Sequence, residues 1–367
     1  MLALVVSKNT VFALGITRSL GSMGARAHVM STGQLTRARF SRYCEHYVNC
    51  APADLTDPSA ATVDRINNHC STHKVDIIIA GDMAATLMLA EVRDKLVAPT
   101  FPLAAPELLR TLHDKWRFHQ LLGKLDLPSP PTQRLEAGRG LRDLTLSFPL
   151  MAKPPASEGH DRVARYDRAE DLERMLSTPS ARALPWLVQE YLPGYDIDLS
   201  LLADRGRVVA WTIQTGNGNG EILFKGDERM LQIGRRLVES TGFHGVAHFD
   251  MRVDQRSGQV FVLECNPRFW GSLLLSVWSG VNFVEMGCAM ALGKPVPSFQ
   301  PVAGPSRHEG IAPRRMLKAL LAGRTAPANL SPAQLASWKQ VHRDPLPELI
   351  GVRAEELEAR WRRVILG

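Results

Sequence analysis

Hydrophobic and polar positions in the first hundred residues alternate between two periods. LALVVS (2–7), ARAHVMS (25–31) and VDIIIAG (75–81) are short apolar runs typical of buried strands. Between them, TVFALGITRSLGSMG (10–24) and PSAATVDRINNHCSTHK (58–74) repeat apolar residues at helical spacing. Strands that alternate with helices in this way predict a parallel sheet in an α/β domain.

The first strand-to-helix turn argues against dinucleotide binding by this sheet. It reads S-K-N-T and lacks the G-x-G-x-x-G glycines that let a pyrophosphate approach the backbone. A nicotinamide-dependent oxidoreductase is therefore disfavoured. Asp82 follows the carboxyl end of a predicted strand, where ligands bind open parallel sheets. It can equally be the N-cap of the next helix, and the sequence leaves both roles open.

From about residue 106 the pattern changes to strands that follow one another directly. HDKWRFHQLLGKL is a helix that Asp114 can cap, and FPLMAKPP and WLVQEYL are strands. DIDLSLLAD and RVVAWTIQT then alternate in strand period about an Asp-Arg-Gly turn. These segments predict an α+β region after the parallel sheet.

Two later strands, AHFDMRVD and QVFVLECN, are joined by the tight segment QRSG. A hairpin folded about residue 257 places Asp250 almost directly opposite Glu264. Glu264, Asn266 and Arg268 are spaced two apart, so they share one face of their strand. Carboxylates that face each other imply a cation between them or a shared proton.

This polar constellation has two interpretations. Oxygen ligands favour a hard cation, Mg²⁺ or Mn²⁺, which recruits substrate phosphates as further ligands. Arg268 cannot bind a metal, but its guanidinium can stabilise charge on a phosphoryl group. The alternative is a structural cluster of buried ion pairs with no ligand at all.

Composition narrows the class of protein. The chain has 367 residues with 45% apolar and 22% charged, which is typical of a globular protein with two or three domains. Its five cysteines have no metal-finger spacing, so we expect free thiols in a reducing compartment. The apolar stretch SLLLSVWSGVNFVEMGCAMALG contains Asn282 and Glu285 and is predicted to be a buried helix, not a membrane span. We expect a cytoplasmic protein without a signal peptide.

Charge is concentrated at the C-terminal end. The net charge is +7, and residues 301–367 carry eleven Lys and Arg against six Asp and Glu. No nucleic-acid-binding motif accompanies this excess, so a solvated helical surface is the favoured interpretation. We expect the segment from about residue 305 to cover the body or mediate self-association, and to be dispensable for chemistry.

The run L-E-C-N-P-R-F-W-G-S, preceded by the Phe249-Asp250 hairpin strand, resembles the metal-binding signature of ATP-grasp enzymes. The resemblance covers roughly residues 1–300, in an order similar to carboxylate–amine ligases, D-alanine–D-alanine ligase and biotin carboxylase. It implies a Rossmann-like parallel-sheet (pre-ATP-grasp) domain at 1–105 and a two-lobed ATP-grasp domain at 106–304. The lobes would be 106–185 and 186–304, followed by a basic helical extension at 305–367.

The resemblance also assigns site residues. It makes Asp250, Glu264 and Asn266 the ligands of Mg²⁺ or Mn²⁺, and it gives Arg268 and Lys153 catalytic roles at the transferred phosphoryl group. Asp198 is a rival to Asp196 for the ribose hydroxyls, on the same strand face. The nucleotide site that the resemblance implies consists of Lys115, Lys153, Ser157, Glu158, Gly159, Gln189, Glu190, Tyr191, Leu192, Asp196 and Lys225.

The activity that the resemblance implies is ATP-dependent, ADP-forming ligation of a carboxylate to an amine through an acyl phosphate. Two alternatives stay open: a bicarbonate-activating carboxylase that uses the same ATP site, and a catalytically silent ATP-binding module. The expected partners are a small carboxylate and a small amine, with no nucleic acid and no membrane span, and a homodimer is a further option.

Overall fold

The computed structural model describes residues 1–33, 36–155, 163–216, 221–300, 304–307, 339, 342–348 and 350. Three sheets organise these residues: one parallel and four-stranded, one antiparallel and four-stranded, and one antiparallel and six-stranded. No helix in the described ranges is both long enough and apolar enough to cross a membrane. All five cysteines are free thiols.

The predicted N-terminal parallel sheet is present, with strand order β3-β2-β1-β4. Its strands are β1 (Leu2–Val6), β2 (Arg26–Ser31), β3 (Cys44–Asn49) and β4 (Ile77–Ala80). Its helices are α1 (Thr10–Ser22), α2 (Ala60–His73) and α3 (Met83–Val92). The edge strand β3 was not predicted, because half of its residues are polar and partly exposed.

Asp82 is a helix cap in this structure. It is 3% exposed, and its carboxylate accepts hydrogen bonds from the Ala85 N–H, the Asn9 N–H and the Ser7 hydroxyl. Asn9 caps α1 in the same way, so the S-K-N-T turn is held by side chains and not by glycines. Of the two roles that the sequence left open for Asp82, the described contacts are those of the N-cap.

Two short helices connect this sheet to the rest of the chain. They are α4 (Pro106–His113) and α5 (Lys115–Lys124), and Asp114 caps α5 as predicted by accepting from two backbone N–H groups. The four-stranded antiparallel sheet follows, in the order β5-β8-β6-β7. It consists of β5 (Thr132–Leu135), β6 (Leu150–Lys153), β7 (Ala164–Tyr166) and β8 (Trp186–Glu190), with α6 (Ala169–Leu176) and α7 (Pro179–Arg182).

The six-stranded sheet has the order β13-β12-β9-β10-β11-β14. Its strands are β9 (Gly194–Asp204), β10 (Arg207–Gly216), β11 (Glu221–Phe224), β12 (Gly245–Asp254), β13 (Val260–Asn266) and β14 (Gly304–Arg307). The helix α8 (Glu228–Thr241) packs against β9 and β10. The expected C-terminal extension therefore begins with an edge strand, β14, and not with a helix.

Two features differ from the sequence prediction. Strand β8 was assigned to the second lobe, but it forms hydrogen bonds with β5 and β6 of the four-stranded sheet. The apolar stretch at 272–293 was predicted as one helix, but it forms two, α9 (Leu273–Trp278) and α10 (Phe283–Ala291), because Gly280 lies between them with φ of 101°. The domain limits 1–105, 106–304 and 305–367 stay predictions.

A continuous hydrophobic core joins the N-terminal sheet, α4 and α5 to strands β9, β12 and β13. Phe118 of α5 lies 6.5 Å from Phe249 of β12, measured between ring centroids. This packing sets the first turn of α5 against the β12–β13 hairpin. It explains how Lys115 reaches residues that are far away in the sequence.

Candidate active site

The β12–β13 hairpin has the predicted register. Asp250 pairs directly with Glu264, and a bulge follows Asp250. On its other side, Asp250 pairs with Asp198 of β9. Phe249 and Met251 point into the core on the opposite face of β12, each 1% exposed. The strand alternation therefore collects the acidic side chains on one face.

An amide and a guanidinium complete this face as one hydrogen-bonded network. Asn266 Nδ2 donates to Asp250 Oδ2 at 3.0 Å and to Glu264 Oε1 at 3.4 Å. Arg268 Nη2 donates to Asn266 Oδ1 at 3.0 Å, and its Nη1 donates to the Phe269 carbonyl at 2.8 Å. All four residues of the predicted constellation are therefore in contact.

Two buried lysines approach the network from different elements. Lys115 Nζ, at the start of α5, lies 3.3 Å from Glu264 Oε2. Lys153 Nζ, at the end of β6, donates to Gln189 Oε1 at 3.0 Å and to the Leu263 carbonyl at 3.4 Å. Burial lowers the pKa of the Lys153 ammonium to about 8. Lys115 is thus paired with a carboxylate of the network, and Lys153 lies against β13 through the Leu263 carbonyl.

His248 is a site residue for which the sequence analysis gave no role. Its Nε2 lies 3.2 Å from Asp250 Oδ1, its Nδ1 lies 2.9 Å from Ser200 Oγ, and its ring stacks on Trp270 with centroids 5.5 Å apart. The signal was available, since His248 and Asp250 are two apart on the same strand face. The partner Ser200 lies on β9, and only the sheet register shows that contact.

Three acidic side chains on this face, Asp198, Asp250 and Glu264, have different electrostatic environments. Burial would raise the pKa of Asp250, but the hydrogen bond and positive charge of His248 outweigh it and hold this pKa well below its usual range. Burial, and then the neighbouring Asp250, raise the pKa of Glu264. Burial raises the pKa of Asp198 to about 6. Asp250 is therefore stabilised as an anion, whereas Glu264 and Asp198 are penalised when charged.

These residues line one cleft of about 710 Å³ between the two antiparallel sheets. The predicted site residues among its lining are Lys153, Gln189, Glu190, Tyr191, Leu192, Asp196, Asp250, Glu264, Asn266 and Arg268. Lys115 touches the cleft wall through Glu264. Lys225 is not part of the described lining, and its Nζ lies 5.2 Å from the ring centroid of Tyr195. Ser157, Glu158 and Gly159 lie outside the described residues.

At the other end of the cleft, Arg252 binds the connection between strands β8 and β9. It donates to the carbonyls of Leu192 at 2.6 Å and Gly194 at 2.9 Å, and it forms an ion pair with Asp196. Its guanidinium lies 5.6 Å from the ring centroid of Tyr191. The segment for which a purine and ribose role was predicted is therefore held by one arginine from β12.

Comparison with known proteins agrees with this architecture. A family model described as "ATP-grasp in the biosynthetic pathway with Ter operon" matches residues 182–311. The chain superposes on an L-amino acid ligase from Bacillus licheniformis with a TM-score of 0.61 and 20% identity, covering 79% of this chain and 73% of that one. It superposes on N5-carboxyaminoimidazole synthetase from Staphylococcus aureus complexed with ADP with a TM-score of 0.63 and 13% identity, covering 81% and 78%.

The chain has the ATP-grasp fold. The resemblance carried by the E-C-N-P-R run and the predicted fold class are thereby confirmed.

Sequence comparison also finds a ligase and a synthase among the relatives. This ATP-grasp chain is 22% identical over 305 residues to a D-aspartate ligase from Enterococcus faecium, covering 74% of the chain and 72% of the relative. It is 21% identical over 225 residues to the arginine-specific carbamoyl phosphate synthase large chain of Bacillus subtilis. The chain spans about a fifth of the length of that large chain, 21%, so this match concerns one segment of a longer protein.

The donor set of the ATP-grasp cleft fits a hard divalent cation. Two carboxylates converge, and a bound cation would relieve the part of the raised Glu264 pKa that comes from Asp250, which acts after burial. Asn266 turns its Nδ2 toward both carboxylates and its Oδ1 toward Arg268, so its amide would have to rotate for Oδ1 to become a ligand. A second set, Asp198, His248 and Asp250, has its ligand atoms within 4.8 Å of one another. Asp250 belongs to both sets, so the two arrangements describe one candidate region for a cation.

Proposed function

We propose that this chain is an ATP-dependent, ADP-forming ligase that joins a carboxylate to an amine through an acyl phosphate. The observation that carries the proposal is the convergence of Lys153, paired carboxylates, an amide and an arginine in one cleft, with Lys115 bound to Glu264 behind its wall. A structural ion-pair cluster does not require a cleft of about 710 Å³ beside it.

The named relatives suggest the substrate class. One is described as an L-amino acid ligase and another as a D-aspartate ligase, and the chain covers 73% and 72% of these two proteins. We propose that at least one substrate of this chain is an amino acid. The assignment uses only relatives that the chain matches over most of their length.

In the proposed reaction, a carboxylate oxygen attacks the γ-phosphorus of ATP, and the bond to the bridging oxygen of ADP breaks. The amine then attacks the acyl carbon of the acyl phosphate, inorganic phosphate leaves, and the amine loses a proton to solvent. The first step spreads charge over the phosphoryl oxygens, and the second develops charge on the acyl oxygen before phosphate leaves. The protein therefore contributes mainly positioning and electrostatic stabilisation.

Each side chain has a defined part. An ammonium has three N–H donors, and Lys153 uses two of them on Gln189 and Leu263, which fixes its Nζ at the cleft wall with a further donor for a phosphate oxygen. Arg268 is held at the cleft by Asn266 and the Phe269 carbonyl. Mg²⁺ bound by Asp250, Glu264 and Asn266 would neutralise charge on phosphate oxygens.

The test is an ADP-release assay with Mg²⁺, in which amino acids are supplied singly and in pairs. We expect ADP and phosphate in equal amounts, with turnover only when both a carboxylate and an amine are present. Release of AMP and pyrophosphate would contradict γ-phosphoryl transfer. Turnover that needs bicarbonate and no amino acid would favour the carboxylase alternative, and tight ATP binding with no turnover in any pool would favour the silent module.

A further inference from the structure

Four histidines converge at the edge of the N-terminal parallel sheet. His28 lies on β2 and pairs in register with His46 on the edge strand β3. His69 and His73 lie one helical turn apart in the last part of α2, so they share one face of that helix. None of the four is among the described residues that line the ATP-grasp cleft.

The imidazoles are close enough to share one ligand. His28 Nδ1 lies 2.9 Å from His69 Nε2, and ligand atoms of His28, His69 and His73 all lie within 4.8 Å of one another. The His46 ring centroid is 5.3 Å from those of His28 and His73. Zinc–nitrogen bonds of about 2.0–2.1 Å in a tetrahedron separate the nitrogens by roughly 3.3 Å. The His28–His69 separation is shorter than this and the others within the trio are at most 4.8 Å, so side-chain rotations would have to adjust the spacing.

The position of the cluster allows a cation to enter. His28 is buried and His69 is partly buried, so these two rings are held within the fold. His73 is the last residue of α2, where the helix dipole places partial negative charge. His46 and His73 are exposed, which gives a cation access from solvent.

We propose that these four histidines form a binding site for a divalent transition-metal cation, with Zn²⁺ as the best match. Imidazole nitrogen suits Zn²⁺, Cu²⁺ and Ni²⁺, whereas Mg²⁺ prefers the oxygen ligands of the cleft. The two sites therefore select different cations. A cation bound here would join α2 to β2 and to the edge strand β3, and it would stabilise the N-terminal sheet independently of catalysis.

The experiment is a Co²⁺ titration of the full chain without a histidine tag, in excess Mg²⁺. We expect one equivalent of Co²⁺ to give the visible absorption of a nitrogen-rich, four-coordinate site, Zn²⁺ to displace it, and Zn²⁺ to raise Tm. Even outer-sphere partners are worth about 10–100-fold in metal affinity, so we expect His73→Gln and His69→Gln to weaken binding by at least about 100-fold.

Two variants serve as controls. Asp250→Asn removes the carboxylate that both ligand sets of the cleft share, and His244→Gln removes a histidine outside the cluster, so both are expected to bind Co²⁺ as the unchanged chain does. The proposal is wrong if His69→Gln and His73→Gln keep full affinity, or if the unchanged chain gives no nitrogen-rich spectrum. It is also wrong if Asp250→Asn abolishes the spectrum, because the cation would then occupy the cleft.

Discussion

Asp250 and Glu264 face each other across one hairpin, yet their surroundings shift the two carboxyl pKa values in opposite directions. His248 stabilises the Asp250 anion, whereas burial and Asp250 raise the pKa of Glu264. Both variants Asp250→Asn and Glu264→Gln should lose nearly all turnover. In metal-free protein, however, Asp250→Asn should lower stability by about 1.5–3 kcal/mol through loss of a charged hydrogen bond. Glu264→Gln should leave Tm unchanged or raise it, because it removes a penalised charge.

Thermal unfolding in the presence of a chelator separates these outcomes. A loss of Tm in Glu264→Gln equal to that of Asp250→Asn would mean that Glu264 is chiefly the buried ion-pair partner of Lys115. That result would favour the structural cluster that the sequence left open.

Lys153 gives a prediction on pH. Its pKa is lowered to about 8, so the ammonium that donates to phosphate is lost as pH rises through that value. ATP affinity should therefore fall between pH 7.5 and 9.5, by up to about 1.5–3 kcal/mol when the charged donor is gone. Lys153→Arg stays protonated over this range, so its affinity, measured by calorimetry, should be nearly flat. Equal pH dependence in both proteins would place the titrating group elsewhere.

The hairpin constellation could be predicted because strand alternation is local. Glu264, Asn266 and Arg268 share a face by spacing alone, and a short turn fixes Asp250 opposite. Contacts across several elements could not be derived in that way. Lys115 reaches Glu264 only because α5 packs on β12 and β13, and His248 meets Ser200 only through the register with β9.

At the scale of elements, a glycine of α10 allows this helix to pack closely against Phe101. A Cβ on Gly287 would lie 2.1 Å from the Phe101 ring, which packs on Phe269 beside Arg268 with centroids 5.2 Å apart. Gly287→Ala should destabilise the chain by about 1–3 kcal/mol through overpacking and lower turnover by displacing Arg268.

The matched control is Gly123→Ala in α5, where a Cβ meets nothing within 4 Å. It should stabilise the chain by about 0.4–1 kcal/mol, since alanine restricts the unfolded chain more than glycine does. Denaturant unfolding measures both effects. Two alanine variants with the same sign would show that the close approach of α10 to Phe101 is not what sets stability at Gly287.

Element boundaries show where sequence patterns lose information. Strand β8 reads as an apolar strand in either lobe, and only its hydrogen bonds to β5 and β6 assign it to the four-stranded sheet. The stretch at 272–293 is apolar enough for one helix, but a single glycine with positive φ divides it. Periodicity thus identified the kind of element, while pairing and turn geometry decided its place and length.

At the scale of the whole molecule, the C-terminal segment contacts α1 and the residues just before β3. Asp344 is 1% exposed and accepts hydrogen bonds from Arg18 Nε at 2.9 Å, Ser41 Oγ at 2.8 Å and the Arg42 N–H at 2.8 Å. Arg18, itself 3% exposed, also pairs with Glu348 at 2.8 Å. A tail that the sequence predicted to be dispensable for the chemical step therefore contributes a buried ion pair between residues 326 positions apart, Arg18 and Asp344.

Removing the Asp344 carboxylate should lower the free energy of unfolding without changing the affinity of the folded chain for ATP. Asp344→Ala leaves the buried Arg18 guanidinium without its main carboxylate, a loss of about 3–5 kcal/mol for a broken buried pair. Arg343→Ala changes an exposed neighbour whose carbonyl still accepts from Arg42, so it should cost no more than about 0.5 kcal/mol. Asp344 does not line the cleft, so ATP affinity of the folded variant, measured well below its Tm, should match that of the unchanged chain. If Asp344→Ala melts like Arg343→Ala, the buried pair does not set stability. If it stays folded but loses ATP, the contact positions the cleft, and the prediction that the tail is dispensable for chemistry is wrong.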